Sequence, residues 1–254
     1  MKVALTIAGS DPTGGAGLQA DLRVFRAMEV YGISVPSVLT AQDTKGVYNI
    51  QEIPTGFFAE QLEALLIDIR PDALKTGMLY SAEIMETISE KVRGYSLQNL
   101  VIDPVTVSST GVLLVQEGAL DALKKYLFPL AKVITPNIYE ASVLTGMDIR
   151  NEKDLKEAML KLREQGPEAV VITGGHMEEK AVDMLFDGAE FLSLENEKLE
   201  GQYHGTGCVF SSVITACLAK GYDVKEALVK AKEFVLNAMK SATVLGKGMK
   251  ILNF

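Results

Sequence analysis

Cysteine is nearly absent from the chain: two occur in 254 residues, Cys208 and Cys217. They lie nine apart on what reads as one helix, too far along it for a disulfide. A disulfide scaffold is thereby excluded, and a reducing, cytoplasmic setting is implied. No apolar run approaches the roughly 18 residues of a membrane span. The short apolar stretch that follows Met1 and Lys2 is too brief for a signal peptide and reads as a first strand. Only two histidines are present, His176 and His204, and they form no metal-binding pair. Positive charge is scarce as well. With 25 Lys and Arg against 33 Asp and Glu the net charge is −8, which argues against nucleic acid or an anionic membrane as partner and for a small-molecule ligand. There is no internal repeat and no low-complexity linker, so a chain that is 48% hydrophobic is expected to form one domain over residues 1–254.

What is present is an alternation. Short runs rich in Val and Ile, at 3–8, 33–39, 73–75, 100–102, 132–134 and 169–172, take turns with segments of helical period at 18–28, 57–69, 82–92, 120–127, 138–144 and 154–164. Such a pattern indicates right-handed βαβ units around a mainly parallel sheet, an α/β fold. Residues 181–186 and 190–194, joined at Asp187-Gly188, read as an antiparallel hairpin at one sheet edge. Helices over 209–219 and 225–243 should then cover the sheet, and 244–254 carries no strong pattern. In open sheets of this kind ligands gather beyond the carboxyl ends of the strands, so the loops there are searched for chemistry.

Residues 204–208 read His-Gly-Thr-Gly-Cys and run straight into the apolar helix. The first N–H groups of a helix lack intrahelical partners and its dipole is positive there, so the turn suits an anion. The same field is expected to lower the thiol pKa of Cys208, making it a candidate base. A plain glycine-rich connection ahead of a packing helix would read the same way. A second loop, residues 9–17, holds four glycines and leads to Asp21 near a helix start. It matches neither the Walker nor the dinucleotide pattern. Asp21 could accept hydrogen bonds from a ligand or serve as a surface helix-dipole carboxylate.

The segments ALTIAGSDPTGGAGLQAD at the start, then KTGML, IDPV, ITPNIYEA and finally HGTGC, occur in the order seen in hydroxymethylpyrimidine phosphate kinases, which the chain resembles through nearly its whole length. The resemblance places it in the ribokinase-like superfamily. It implies a three-layer α/β/α sandwich with a mainly parallel central sheet, usually a homodimer, moving the γ-phosphoryl of ATP onto an aminopyrimidine with Mg2+. Carried over residue by residue, it implies Cys208 as base, with Gly205, Thr206 and Gly207 offering N–H groups to the phosphoryl. Gly9, Asp21, Gln42, Met78 and Val105 would contact substrate. Asn137, Thr173 and Gly175 would serve the nucleotide, and Asp103 and Glu140 the metal. Magnesium needs only one or two carboxylates beside phosphates and water, so that sparse set suffices. Asn137 and Glu140 would equally make a helix cap and first turn.

The likeness breaks at two positions. Family members commonly read Asp-Pro-Val-Met-Val-Ala-Lys-Ser-Gly where residues 103–111 here read Asp-Pro-Val-Thr-Val-Ser-Ser-Thr-Gly, so the flap lysine is lacking. Thr173 stands where a second lysine is usual, ahead of Gly174-Gly175-His176. Hydroxyls bring no charge to a triphosphate, so magnesium, a monovalent cation or a lysine from elsewhere, such as Lys45, is expected to compensate. Related pyridoxal kinases resemble the chain at Thr173 but tend to carry methionine where Gln42 stands. Pyridoxal kinase is therefore the rival expectation, and a vitamin-binding protein without turnover the one from another class.

Overall fold

The strand-like runs of Val, Ile and Leu pair into one sheet whose two faces are covered by the helical segments. This computed structural model describes residues 1–107, 114–174 and 181–254. In chain order the elements are β1 (Val3–Ser10), α1 (Gly17–Ala27), β2 (Tyr31–Asp43), β3 (Gly46–Glu52), α2 (Thr55–Asp68), β4 (Ala73–Thr76), α3 (Ala82–Gly94), β5 (Leu100–Ile102) and α4 (Ala119–Ala122). There follow β6 (Ala131–Ile134), α5 (Ile138–Thr145), α6 (Glu152–Glu164), β7 (Ala169–Ile172), β8 (Ala181–Phe186), β9 (Phe191–Asn196), β10 (Tyr203–His204), α7 (Thr206–Lys220), α8 (Val224–Lys240) and β11 (Lys250–Ile251).

Among the described residues the sheet has nine strands in the order β3-β2-β1-β4-β5-β6-β7-β8-β9. The six from β2 to β7 are parallel, and β3, β8 and β9 pair antiparallel at the edges. Alternation along the strands builds two cores. Leu5, Ile7, Leu74, Ile102, Ile134 and Ile172 pack with α2, α3, α5 and α6, while Ala4, Ala73, Val101, Val133 and Val171 pack with α1, α7 and α8. The expected α/β/α sandwich follows from this period of two, which sends neighbouring side chains to opposite faces. Every residue of α7 from Val209 to Ala219 is buried, as its small and apolar composition requires of a helix enclosed on all sides.

The expected edge hairpin is β8–β9, with Phe186 opposite Phe191. A second hairpin, β2–β3, covers the stretch read only as strand 33–39 and a polar loop. The last residues, which carry no sequence pattern, provide β11, and its Ile251 pairs with His204 of β10 beside the start of α7. β1 is flanked by β2 on one side and β4 on the other. The chain runs in opposite directions across the sheet from there, so the crevice beyond the ends of β1 and β4 is a topological switch point, where such sheets bind ligands.

Candidate active site

Two helix starts meet in that crevice. α7 begins at Thr206 after Gly205, whose φ of 82° is left-handed, and no side chain caps it. A Cβ on Gly205 would lie 1.9 Å from the Gly15 carbonyl oxygen. Only glycine fits both the dihedral and the approach. α1 begins at Gly17, likewise without a side-chain cap, and the Gly17 N–H reaches the Cys208 thiol. The uncapped N–H groups at Thr206, Gly207 and Cys208 therefore share one region with a second positive helix end, which favours a bound anion.

The expected low thiol pKa is not found. Cys208 is half-buried, and its thiol is pushed up to about 12. Removal from water is the main cause; Lys75 opposes it, and the carboxyls of Asp103 and Asp21 add to the rise. Burial and two acids outweigh the helix field.

Asp21 also departs from expectation. It is fully buried, and its oxygens are taken by Lys75 Nζ at 2.8 Å, Ser212 Oγ at 2.7 Å and Thr6 Oγ1 at 2.6 Å. Those three partners make it an internal counter-ion instead of an acceptor open to a ligand. Lys75, buried in β4, also approaches the Cys208 carbonyl at 3.4 Å and Ser212 Oγ at 3.3 Å, and its ammonium pKa is raised, with Asp21, Cys208 and Asp103 overcoming the cost of burial. This cation under the first turn of α7 was not anticipated. The signal for it was a lysine inside the short strand Ala73–Thr76, every residue of which is buried. Lys45, one of the expected substitute cations, is exposed at the tip of β2–β3.

Asp103 follows β5, is buried, and accepts from Ser211 Oγ of α7 at 3.0 Å. Its carboxyl faces Gly207. Asn137 and Glu140 form a reciprocal capping box at the start of α5, so the capping alternative is realised. Burial raises the pKa of Asp103. Burial followed by the charge of Asp103 raises that of Glu140, against N–H donors from Asn137 and Thr106. Two buried acids that disfavour each other's charge suit a hard divalent cation, which would relieve the repulsion. Among the described residues no three acidic, His or Cys side chains could hold a metal by themselves. A magnesium ion would need the phosphates to complete its shell, and this pair fits that role.

A third apolar cluster packs beside β2 and the loop after β4. Val38, Met78 and Leu114 are buried together with Val47, Ile50, Tyr80 and Val105 packed around them. A Cβ on Gly9 would sit 3.0 Å from Val38 and 3.4 Å from the Met78 sulfur, so Gly9 lies directly against this cluster. Met78, Val105 and Gly9 are thus brought together as expected, while Val38, Leu114 and Tyr80 join them without prior signal. Gln42, half-exposed on β2, has its amide between Thr40 Oγ1 at 3.2 Å and His204 Nε2 at 3.1 Å. His204 in turn contacts Asp11 Oδ2 at 2.7 Å, tying the anion turn to the loop after β1.

Thr173 follows β7 and bridges to Asn137. Gly174 is pressed onto β8, where a Cβ would lie 1.9 Å from the Val182 carbonyl oxygen, and its N–H donates to Asp183. Gly175, His176 and the flap residues 108–111 lie outside the described residues.

The phosphomethylpyrimidine kinase family matches residues 11–253. The thiamine biosynthesis bifunctional protein ThiED of Geobacter sulfurreducens is 45% identical over 96% of this chain, which spans half of that longer protein. In Bacillus subtilis, hydroxymethylpyrimidine/phosphomethylpyrimidine kinase is 39% identical over 96% of this chain and 92% of its own length, and pyridoxine kinase 44% over 97% and 93%. The structure of Bacillus subtilis pyridoxal kinase with ADP superposes with a TM-score of 0.92 at 42% identity, covering 100% of this chain and 97% of that one. The sandwich is accordingly the ribokinase-like one. A match spanning the anion turn, the acid pair and the crevice between them makes this chain a member of the phosphomethylpyrimidine kinase family.

Proposed function

We propose that the chain uses ATP to phosphorylate the hydroxymethyl group of 4-amino-5-hydroxymethyl-2-methylpyrimidine, the phosphate of its monophosphate, or both in turn. The observation that carries this reading is the meeting of two helix starts without side-chain caps, at Gly17 and Thr206, with the Gln42 amide reaching His204 just before the second of them. The ring lies between Met78 and Val105, over Gly9, with Gln42 at its polar edge. The N–H groups of residues 205–207 meet the transferring phosphoryl, where a loose transition state spreads charge over its equatorial oxygens. Magnesium, held by Asp103 and Glu140 next to Asn137, would neutralise part of that phosphate charge.

Cys208 serves the acceptor oxygen. With its pKa near 12 the side chain is a thiol in the free protein, so it accepts the hydrogen bond of the substrate hydroxyl and aims the oxygen. To act as base it first gives its own proton to water, and the thiolate so formed takes the proton of the hydroxyl as the new P–O bond forms. When the acceptor is a phosphate monoester, largely ionised near neutral pH, no proton has to be removed. Thr173 and Gly174 border the nucleotide, and because Lys75 is neutralised by Asp21, the phosphate charge is met by the two helix starts and magnesium in place of the two lysines the sequence lacks. The kinase is proposed to act as a homodimer in the cytoplasm.

A second reading, pyridoxal kinase, is favoured by the 44% identity to the Bacillus subtilis pyridoxine kinase. Gln42 argues for the aminopyrimidine, since an amide pairs with adjacent donor and acceptor positions. The deciding experiment offers hydroxymethylpyrimidine, its monophosphate and pyridoxal separately, with ATP and magnesium, and identifies products by mass. Turnover of either pyrimidine supports the proposal. Turnover of pyridoxal alone overturns it in favour of the rival, and ligand binding without turnover would mark a vitamin-binding protein.

A further inference from the structure

The neighbours of the Gln42 amide permit it one orientation. As placed, its Nε2 lies 3.1 Å from His204 Nε2 and its Oε1 lies 3.2 Å from Thr40 Oγ1. A half-turn about the terminal torsion exchanges the two ends, so the neighbours' protons decide between them. His204 Nε2 is also 2.7 Å from Asp11 Oδ2. The Asp11 carboxylate already accepts from the Thr13 N–H, the Thr13 hydroxyl and the Ala16 N–H. Burial works against its charge, but His204 and Thr13 hold its pKa below the usual carboxylate range. An ionised carboxylate only accepts, so the proton between the two groups belongs to His204 Nε2. A nitrogen that carries this proton cannot accept from an amide NH2. The amide end facing it is oxygen, which shares the single Nε2 proton with Asp11 in a three-centre hydrogen bond, the shorter arm going to Asp11.

The other end gives the same answer independently. The Thr40 hydroxyl has one proton, and the Ser10 carbonyl, at 2.9 Å, takes it. What remains to Thr40 Oγ1 toward Gln42 is a lone pair, which accepts from the amide NH2. His204 Nδ1 is buried and has no hydrogen-bond partner among the described residues, so nothing on that side of the ring competes for its orientation.

We propose that Thr40 and the Asp11–His204 pair are positioning residues that lock the Gln42 amide, oxygen toward His204 and nitrogen toward Thr40, and so set the preference for an aminopyrimidine over a hydroxypyridine. Each amide end keeps one capacity in reserve: a second N–H and a second lone pair. An aminopyrimidine edge presents an amino donor beside a ring-nitrogen acceptor, which pair with that lone pair and that N–H in one order only. Reversal would set donor against donor. The inference rests on the reading that Gln42 faces the substrate ring.

The test compares Thr40→Val, Thr40→Ser, His204→Phe, His204→Gln and Gln42→Met, measuring dissociation constants for hydroxymethylpyrimidine and pyridoxal by calorimetry, KM for ATP, and Tm. Thr40→Val keeps the shape and loses the hydroxyl; it should weaken hydroxymethylpyrimidine about tenfold, with pyridoxal affinity and KM for ATP unchanged. Thr40→Ser should restore binding. His204→Gln, which keeps an N–H near Nε2, should retain more of it than His204→Phe. Weakening of both ligands together would mark a structural role and overturn the lock. If Gln42→Met weakens hydroxymethylpyrimidine and Thr40→Val does not, the lock fails while the role of Gln42 stands. If Gln42→Met has no effect, the underlying reading of Gln42 is itself wrong.

Discussion

Lys75 Nζ lies 2.8 Å from Asp21 Oδ1 with both side chains fully buried, and the same ammonium approaches the backbone of Cys208. A buried pair of this kind is costly to break from one side, because the survivor is left charged in a poorly solvating interior. Lys75→Met or Asp21→Asn alone should each lower stability by about 3–5 kcal/mol. The double variant Lys75→Met/Asp21→Asn should lose less than the sum of the single losses. Urea unfolding of the three proteins checks this; additive losses would show that the two charges do not depend on each other.

Cys208 gives two linked expectations. With a pKa of about 12, only about one thiol in ten thousand is ionised at pH 8. Iodoacetamide should therefore label it far more slowly than free cysteine, as mass spectrometry of the native protein would show, and rapid labelling at pH 8 would refute the buried-thiol argument. In turnover, Cys208→Ala should cut phosphorylation of the hydroxymethyl group roughly a hundredfold. The monophosphate, which has no proton to lose, should be affected much less. Equal losses on both acceptors would count against a role in handling that proton.

How much of this was legible in the chain depends on where the information lies. Val3–Ser10 and Ala169–Ile172 announce themselves by apolar content, and the anion turn by its glycines next to an apolar helix. β2 beyond Leu39 and the whole of β3 do not, because both faces there are partly exposed and no alternation is imposed. β10 and β11, at two residues each, are too short to show a period. The site divides in the same way. Met78, Val105 and Gly9 were readable from motifs, whereas the thiol of Cys208 is governed first by burial within the fold and then by Lys75, Asp103 and Asp21, far away in the chain. A local helix-field argument therefore has the wrong sign. Asp21 looked available because it sits near a helix start, and only the fold reveals that Lys75 occupies it.

Asp11 should make the protein acid-sensitive. Although burial raises its pKa, His204 and the Thr13 donors together bring it below the ordinary 3.8. The folded state thus binds this proton less readily than the unfolded chain. The associated stability is complete above the unfolded pKa near 4 and is lost as pH falls through the lower folded value. Asp11→Asn removes that contribution. Chemical denaturation at pH 7 and at pH 3 should show the gap between wild type and variant narrowing at the lower pH. A constant gap would mean that Asp11 titrates alike in both states.

The loop proposed to border the nucleotide is held from behind by charge. Lys232 of α8 donates to Asp183 Oδ2 at 2.8 Å, and Asp183 Oδ1 accepts the Gly174 N–H at 3.1 Å, with the two side chains only 7% and 12% exposed. Lys232→Met takes away the ammonium facing Asp183, and the carboxylate must then find water or a proton. Either change loosens its hold on Gly174, which already lies against the Val182 carbonyl and has little freedom to adjust. Asp183→Asn keeps an oxygen that can accept from Gly174 and should be milder. Because Thr173 bridges to Asn137 and neither Thr173 nor Gly174 belongs to the Met78 cluster, the damage should fall on one substrate. KM for ATP should rise several-fold in Lys232→Met, by an interaction worth roughly 1 kcal/mol, while KM for the pyrimidine stays put. Steady-state kinetics with each substrate varied in turn, on protein verified as folded by circular dichroism, separates the two. A shift in both KM values alike would point to general loosening, and no shift in either would remove residues 173–174 from the nucleotide side of the site.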